Sequence, residues 1–115
     1  MMQAVARGWN HWMAGTAVAA VLGFFVAMAF GQDGALVAQG KQMFNDQGCY
    51  GCHTVGKSGT PIGPDLSKIG SQHSEEYLRR WLEDPKAQKP TAHMPKLALT
   101  KGESRVIAAY LASLR

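Results

Sequence analysis

Cysteine is scarce in this chain, whose 115 residues include only Cys49 and Cys52. A structural zinc site takes four ligands, usually Cys or His in paired clusters. The histidines further along, His73 and His93, are neither adjacent nor spaced as a second pair. A disulfide across two intervening residues would constrain little of the unfolded chain. The two cysteines therefore favour neither a zinc module nor a disulfide-stapled domain.

The chain also lacks convincing strand alternation, internal repeats and low-complexity tracts. A thioredoxin-like cysteine pair belongs to a strand-rich, alternating pattern, so that class is disfavoured. Three helices are legible instead. The first covers about residues 35–45 with Asp33 as its N-cap. The second starts after Ser74 and is stopped by Pro85, and the third opens with the capping box Thr100–Glu103. The sequence predicts an all-α fold.

Each predicted helix has an apolar face at helical spacing. The loop between the first two helices, residues 55–70, is rich in Gly, Pro and Ser and shows no element of its own. The predicted buried faces are Leu36, Gly40, Met43 and Phe44 on the first helix, Tyr77, Leu78, Trp81 and Leu82 on the second, and Val106, Ile107, Tyr110, Leu111 and Leu114 on the third.

The two cysteines stand in a C-x-x-C-H motif that ends at His53. This is the motif of covalent c-type haem attachment. Two thiols three positions apart can add to the two vinyl groups at one porphyrin edge, and the next residue can place its imidazole on the iron. The sequence therefore predicts one haem c with its iron, bound through Cys49, Cys52 and His53.

The second axial ligand has four candidates in residues 32–115: Met43, His73, His93 and Met94. Met43 precedes the motif too closely to reach the opposite side of the haem. Met94 lies in the loop between the second and third helices, far enough along the chain to do so. A thioether paired with histidine raises the reduction potential. We expect His53 and Met94 to bind the metal, with His93 as the rival ligand and simple packing as the other role for Met94.

Residues 13–30 carry no charge and are almost wholly apolar, near the lower length limit for a membrane span. Arg7 precedes them and no acidic residue does, so the positive-inside rule places the N-terminus in the cytoplasm. We expect residues 1–31 to form a single-pass anchor in the inner (cytoplasmic) membrane. Residues 32–115 would then form a haem domain that faces the periplasm.

A cleaved signal peptide is the alternative, because Ala27-Met28-Ala29 has the form of a signal-peptidase site. The apolar run is longer than a usual signal core, and Trp9 and Trp12 lie where aromatic residues settle at a membrane interface. Both features favour a retained anchor. Small residues also recur at every fourth position, which indicates either a helix-docking face or chance in an Ala-rich segment; they are Gly15, Ala19, Gly23 and Ala27.

The formal net charge is +4 for the chain and about +3 for residues 32–115. Five lysines lie in the predicted loops. They indicate either a basic rim that steers the protein toward acidic partners or an ordinary solvated surface. Nucleic acid is not an expected partner, because both export and haem argue against it. The lysines are Lys57, Lys68, Lys86, Lys89 and Lys96.

The order of these motifs resembles a class I, mono-haem cytochrome c over essentially everything after residue 31. The matching elements are Gly40-x-x-x-Phe44, Cys49-x-x-Cys52-His53, Gly63-Pro64-Asp65-Leu66, Met94-Pro95 and Tyr110-Leu111. The run from Tyr77 to Pro85, followed by Met94-Pro95, is also similar to cytochrome c domains of haem-copper oxidase subunits and to small membrane-anchored cytochromes of bacterial respiratory chains. The resemblance implies three main helices around one haem.

The resemblance also implies roles for single residues. Cys49 and Cys52 would hold the porphyrin, His53 would be the proximal ligand and Met94 the distal one. The Pro64 carbonyl would accept the Nδ1 proton of His53. The first helix would cross the third where Gly40 and Phe44 meet Tyr110. Trp81 would either donate its indole N–H to a haem propionate or be buried in the core.

These features lead us to expect a non-enzymatic, one-electron carrier on the outer face of a respiratory membrane. It would be either a fixed subunit of a larger oxidoreductase or a tethered carrier. The expected partner is a terminal oxidase or a quinol-oxidising complex. The alternative is a catalytic or gas-sensing haem protein whose distal ligand is displaceable.

Overall fold

The structure, a computed structural model, describes residues 33–115; the expected anchor and signal site lie outside this range. Residues 34–115 form one compact unit. Helix α1 covers residues 33–46 of the described chain, followed by α2 (Glu75–Glu83), α3 (Pro85–Gln88) and α4 (Lys101–Ser113). Two 3-10 turns cover Cys49–Gly51 and Ile69–Ser71. Within residues 33–115, no helix combines the length and the apolar character that crossing a membrane requires.

The three predicted helices are present, and two of their starting points are confirmed. The Ser74 hydroxyl accepts a hydrogen bond from the Tyr77 N–H at 3.2 Å and so caps α2. Thr100 and Glu103 form both halves of the capping box that starts α4. The predicted N-cap of the first helix is wrong, because Asp33 is itself helical.

The loops contain a short helix and a strand pair that the sequence analysis did not predict. Pro85 ends α2 as expected, but it also opens α3, because the Asp84 carboxylate caps the Ala87 N–H at 3.2 Å. The segment predicted to lack structure contains an antiparallel pair, β1 (Thr54–Val55) with β2 (Ser58–Gly59). Two residues per strand are too few to produce a visible alternation in the sequence.

The core is built where α4 packs against α1 and α2. Phe44 of α1 has its ring centroid 5.6 Å from that of Tyr110. A Cβ at Gly40 would lie 2.7 Å from the Tyr110 Cβ and would collide with the Val106 carbonyl. The predicted crossing of Gly40 and Phe44 with Tyr110 is thus confirmed. The buried cluster consists of Phe44, Leu78, Leu82, Ile107, Ala108, Tyr110 and Leu111.

A polar contact also fixes α2 against α4. Ser104 is completely buried, and its hydroxyl lies 3.3 Å from Glu83 Oε1. The same carboxylate oxygen accepts a hydrogen bond from Arg79 at 2.7 Å. Arg79 thus holds the Glu83 carboxylate within α2, and Ser104 brings that carboxylate into contact with α4.

Burial of Tyr110 makes the fold sensitive to alkali. Burial, followed by the neighbouring Tyr50 hydroxyl, raises the pKa of Tyr110 from 10.0 to about 12. The folded state thus favours the neutral phenol, and this stabilisation is complete below pH 10 and is lost as the pH rises toward 12. We expect the free energy of unfolding to fall over that range, and to fall less steeply in Tyr110→Phe. Denaturant titrations of both proteins between pH 8 and pH 12 measure the difference; parallel curves would contradict the assignment.

Candidate haem site

The C-x-x-C-H motif folds directly after α1. A 3-10 turn begins at Cys49, which is half-buried, and ends at Gly51, directly before the exposed Cys52. Burial is the main cause that raises the pKa of the Cys49 thiol. The His53 N–H donates to the Cys49 carbonyl at 3.0 Å, which places the histidine one turn beyond the first cysteine. The turn therefore presents two thiols and an imidazole in succession.

His53 is oriented by the loop that follows the hairpin. Its Nδ1 lies 2.8 Å from the Pro64 carbonyl oxygen. Because a carbonyl can only accept, Nδ1 carries the proton in this contact, and Nε2 is the nitrogen left for a metal. A Cβ at Gly63 would lie 2.8 Å from His53 Cε1, so only glycine allows the loop backbone to pass this close to the ring.

The Pro64 carbonyl is held in place by hydrogen bonds around it. Ser67 donates to Asp65 Oδ1 through its backbone N–H at 2.8 Å and through its hydroxyl at 2.6 Å. These two bonds hold the pKa of Asp65 below its usual value. The Ser67 hydroxyl also accepts from the Gly56 N–H at 2.7 Å, and Leu66 donates to the Thr54 carbonyl at 2.8 Å. The loop is thus tied to the hairpin that follows His53.

Met94 lies half-buried in the loop between α3 and α4 and packs against the buried cluster, as Cys49 also does. Its Sδ lies 3.2 Å from the indole Nε1 of Trp81. The Trp81 N–H, for which we expected either a haem propionate as partner or burial in the core, is thus directed to the methionine sulfur. The sequence could not predict this contact, because the path of the chain between Trp81 and Met94 depends on the unpredicted helix α3.

The loop that carries Met94 is held on both sides. Before it, the Ala92 N–H donates to the Lys89 carbonyl at 2.9 Å, and Ala92 is buried. After it, the Lys96 ammonium lies 3.2 Å from Asp84 Oδ2. This contact is the main cause that holds the pKa of Asp84 below its usual value. Asp84 therefore caps α3 and restrains the methionine loop at the same time.

The other candidate ligands have different surroundings. His93 is exposed although it adjoins Met94. His73 is also exposed, and its ring stacks on Tyr77 with centroids 4.4 Å apart. Met43 is half-buried on α1, where Gln47 Nε2 lies 3.7 Å from its sulfur. Of these four, Met94 alone combines partial burial in a loop with a strong hydrogen-bond donor at its sulfur.

The chemistry of these groups fits a covalently held haem. Two thiols, an imidazole with Nε2 available and a thioether are the donor set of a c-type haem with His/Met ligation. Several half-buried apolar side chains pack against the edge of the buried cluster and would supply apolar contacts to a porphyrin; they include Val55, Leu66, Ile69 and Leu99.

Comparison with known proteins agrees with this chemistry. A subunit 2 of cytochrome c oxidase from Alkalihalophilus pseudofirmus is 33% identical over 89 residues, which cover 70% of this chain and 26% of that protein. The protein of the same name from Bacillus sp. (strain PS3) is 31% identical over 96 residues, covering 67% of this chain and 26% of its own length. The chain thus spans about a quarter of the length of these curated relatives. The Cytochrome c family model matches residues 37–115. The chain, whose Cys49 and Cys52 have the spacing of the C-x-x-C-H motif, belongs to the cytochrome c family and binds haem c covalently.

Proposed function

We propose that this chain transfers single electrons through a haem c with His53 and Met94 as axial ligands. One observation carries the proposal: the side chains of His53 and Met94 each already contact one polar group of the protein. The Pro64 carbonyl oxygen lies 2.8 Å from His53 Nδ1, and Trp81 Nε1 lies 3.2 Å from Met94 Sδ. His53 thereby keeps Nε2, and Met94 keeps a second lone pair on Sδ, to offer to a metal.

The protein residues have distinct tasks in this proposal. When bound, the haem supplies an iron that accepts and releases one electron. Cys49 and Cys52 retain it by thioether bonds, so that it does not dissociate in either oxidation state. His53 supplies a strong nitrogen ligand whose basicity the Pro64 carbonyl increases. Met94 supplies a soft, neutral ligand that favours the reduced state. If both residues bind the iron, they would leave no position for substrate chemistry at the metal.

The alternative is a catalytic or gas-sensing haem whose distal ligand leaves easily. Carbon monoxide distinguishes the two functions, because it needs a free axial position on reduced iron. We expect a one-electron redox titration and slow, incomplete carbon monoxide binding to the reduced protein. Rapid and complete binding would contradict electron transfer as the main function.

The exposed lysines supply a surface for partner encounter. Lys57 and Lys68 flank the loop that orients His53, whereas Lys86, Lys89 and Lys96 flank the loop that carries Met94. Lys96 is partly neutralised by Asp84. A modest basic excess around both loops favours an acidic docking surface on the partner and speeds its encounter.

The proposed setting is a respiratory complex, with a terminal oxidase as the favoured partner and a quinol-oxidising complex as the other. The names of the two relatives support the oxidase. The uncharged run at residues 13–30, with Arg7 before it, supports an inner-membrane anchor and a periplasmic haem domain. In this setting the chain is an electron-transfer component, either a fixed subunit or a tethered carrier, and does not itself catalyse a reaction.

Native mass spectrometry of a mild detergent extract tests this setting. We expect a defined assembly that contains the haem-bearing chain together with oxidase subunits, and the chain mass will report whether residues 1–29 are retained. A haem-bearing chain that is always found alone would contradict the fixed-subunit arrangement and would support a tethered carrier.

A further inference from the structure

The loop that carries Met94 is held by side chains rather than by its backbone. In the described part of the chain, no backbone hydrogen bond joins residues 93–99 to another segment. Two side-chain hydrogen bonds hold these residues instead. One joins Met94 to Trp81, and the other joins Lys96 to Asp84 at 3.2 Å. The position of the loop therefore depends on a small number of contacts, of which one is an ion pair.

Asp84 offers Lys96 a partner that is already fixed. It lies where α2 ends and α3 begins, and its backbone N–H donates to the Arg80 carbonyl at 3.0 Å. Its Oδ1 accepts from the Ala87 N–H at 3.2 Å and so caps α3. The other oxygen, Oδ2, faces the Lys96 ammonium. One carboxylate oxygen thus serves the helix, and the second serves the methionine loop.

The ion pair closes a ring of the chain around Met94. It joins residue 84 to residue 96, so the closure lies two positions after the methionine. Two positions before the methionine, Ala92 is buried, and its N–H donates to the Lys89 carbonyl at 2.9 Å. Met94 can leave a metal only if this segment moves outward. The segment is restrained on both sides, by burial before Met94 and by charge after it.

The charge of Asp84 has no substitute nearby in the sequence. Asp84 is the only acidic residue in residues 84–102, a segment that also contains four lysines. Like charges repel one another, so without the carboxylate this segment would carry only positive charge around the methionine loop. The four are Lys86, Lys89, Lys96 and Lys101.

We infer that Asp84 is a positioning residue for the methionine loop: its ion pair with Lys96 keeps the loop closed and slows the replacement of Met94 on the iron by an external ligand. The pair acts through the loop and supplies no atom to the metal. This inference rests on the proposed His/Met ligation. It adds a kinetic role, because a closed loop lets electrons reach the iron while it delays other ligands.

Asp84→Asn in the haem-loaded protein tests the inference, because asparagine caps a helix as well as aspartate does but carries no charge. The probe is imidazole binding to the oxidised protein at about pH 8.5, where imidazole is neutral and its approach is insensitive to surface charge. At saturating imidazole, the opening of the loop limits the rate. We expect that rate to rise roughly two- to fivefold, the range that one exposed ion pair supplies.

Lys96→Gln breaks the same pair from its other side, and the Lys96 side chain is 68% exposed, so the fold does not depend on it. We expect the same acceleration, and no further increase when both substitutions are combined, since they remove one interaction. Lys86→Gln is the matched control. It removes an equal charge from the same segment, but the Lys86 ammonium forms no ion pair within residues 33–115. We expect it to keep the parent rate.

Salt separates the ion pair from a purely structural role of Asp84. At about 1 M sodium chloride the Debye length is roughly 3 Å, so we expect the rates of the parent and of Asp84→Asn to converge. A difference that persisted at high salt would assign the effect to the cap of α3 and overturn the inference.

The near-infrared methionine-to-iron absorption of the oxidised parent protein distinguishes failure of the ligation from failure of this role. Its absence would overturn the proposed ligation by Met94. Its presence, together with parent-like imidazole rates in both Asp84→Asn and Lys96→Gln, would overturn the role of the ion pair alone. Equal acceleration by Lys86→Gln would also overturn that role, because it would assign the effect to the total charge of the segment.

Discussion

Replacing Met94 by leucine is expected to lower the reduction potential by on the order of 0.2 V, within the roughly 0.8 V range over which axial ligands set haem potentials. Leucine has a similar volume but no donor atom. Met94 is half-buried at the edge of the core, so we expect the free energy of unfolding to change by less than about 1.5 kcal/mol from packing alone. Potentiometry measures the change in reduction potential. Carbon monoxide should also bind faster to reduced Met94→Leu than to the reduced parent protein.

Met43→Leu is the matched control, because it makes the same chemical change at the other half-buried methionine of the described chain that packs on the cluster. We expect its potential and its carbon monoxide binding to match those of the parent. Equal effects of the two substitutions would show that the sulfur of Met94 has no special role. A large effect at Met43 alone would assign the ligand to α1.

Replacing Gly40 by alanine is expected to destabilise the fold by about 3 kcal/mol, at the upper end of overpacking effects. The added methyl group would lie 2.7 Å from the Tyr110 Cβ and would collide with the Val106 carbonyl. A backbone carbonyl inside α4 cannot rotate away, so the two helices must separate. Thermal and denaturant unfolding of the holoprotein measure the loss.

Gly34→Ala is the control, because it replaces a helical glycine by alanine at a position without close neighbours. Gly34 is helical and exposed, and a Cβ there would meet nothing within 4 Å. Alanine has the higher helix propensity, so we expect Gly34→Ala to leave the stability unchanged or raise it by up to about 1 kcal/mol. Similar losses at both positions would contradict the close crossing of α1 and α4.

Local signals in the sequence predicted the main helices because their causes lie within a few residues. Ser74 and Thr100 are caps that act on the next turn, and both were identified correctly. The predicted cap at Asp33 was wrong, because a single acidic residue before an apolar run does not distinguish a cap from a residue inside a helix. Helix α3 was missed because Pro85 was interpreted only as the end of α2, whereas proline also opens helices.

The site could be predicted only as far as its motif is contiguous. Cys49, Cys52 and His53 lie within five consecutive residues, so a single local turn brings them together. The partner of the Trp81 N–H depends instead on how α2 packs on α4 and on how Asp84 and Lys96 hold the loop. These contacts join residues that are distant along the chain, so no pattern of spacing reveals them.

Proton NMR of the reduced holoprotein tests the axial ligation most directly, because the haem ring current moves the protons of an iron-bound methionine far upfield of all others. We predict one methionine methyl resonance in that region, assigned to Met94 and absent from the spectrum of Met94→Leu. A spectrum without such a resonance, or one in which it belongs to Met43, would contradict ligation by Met94.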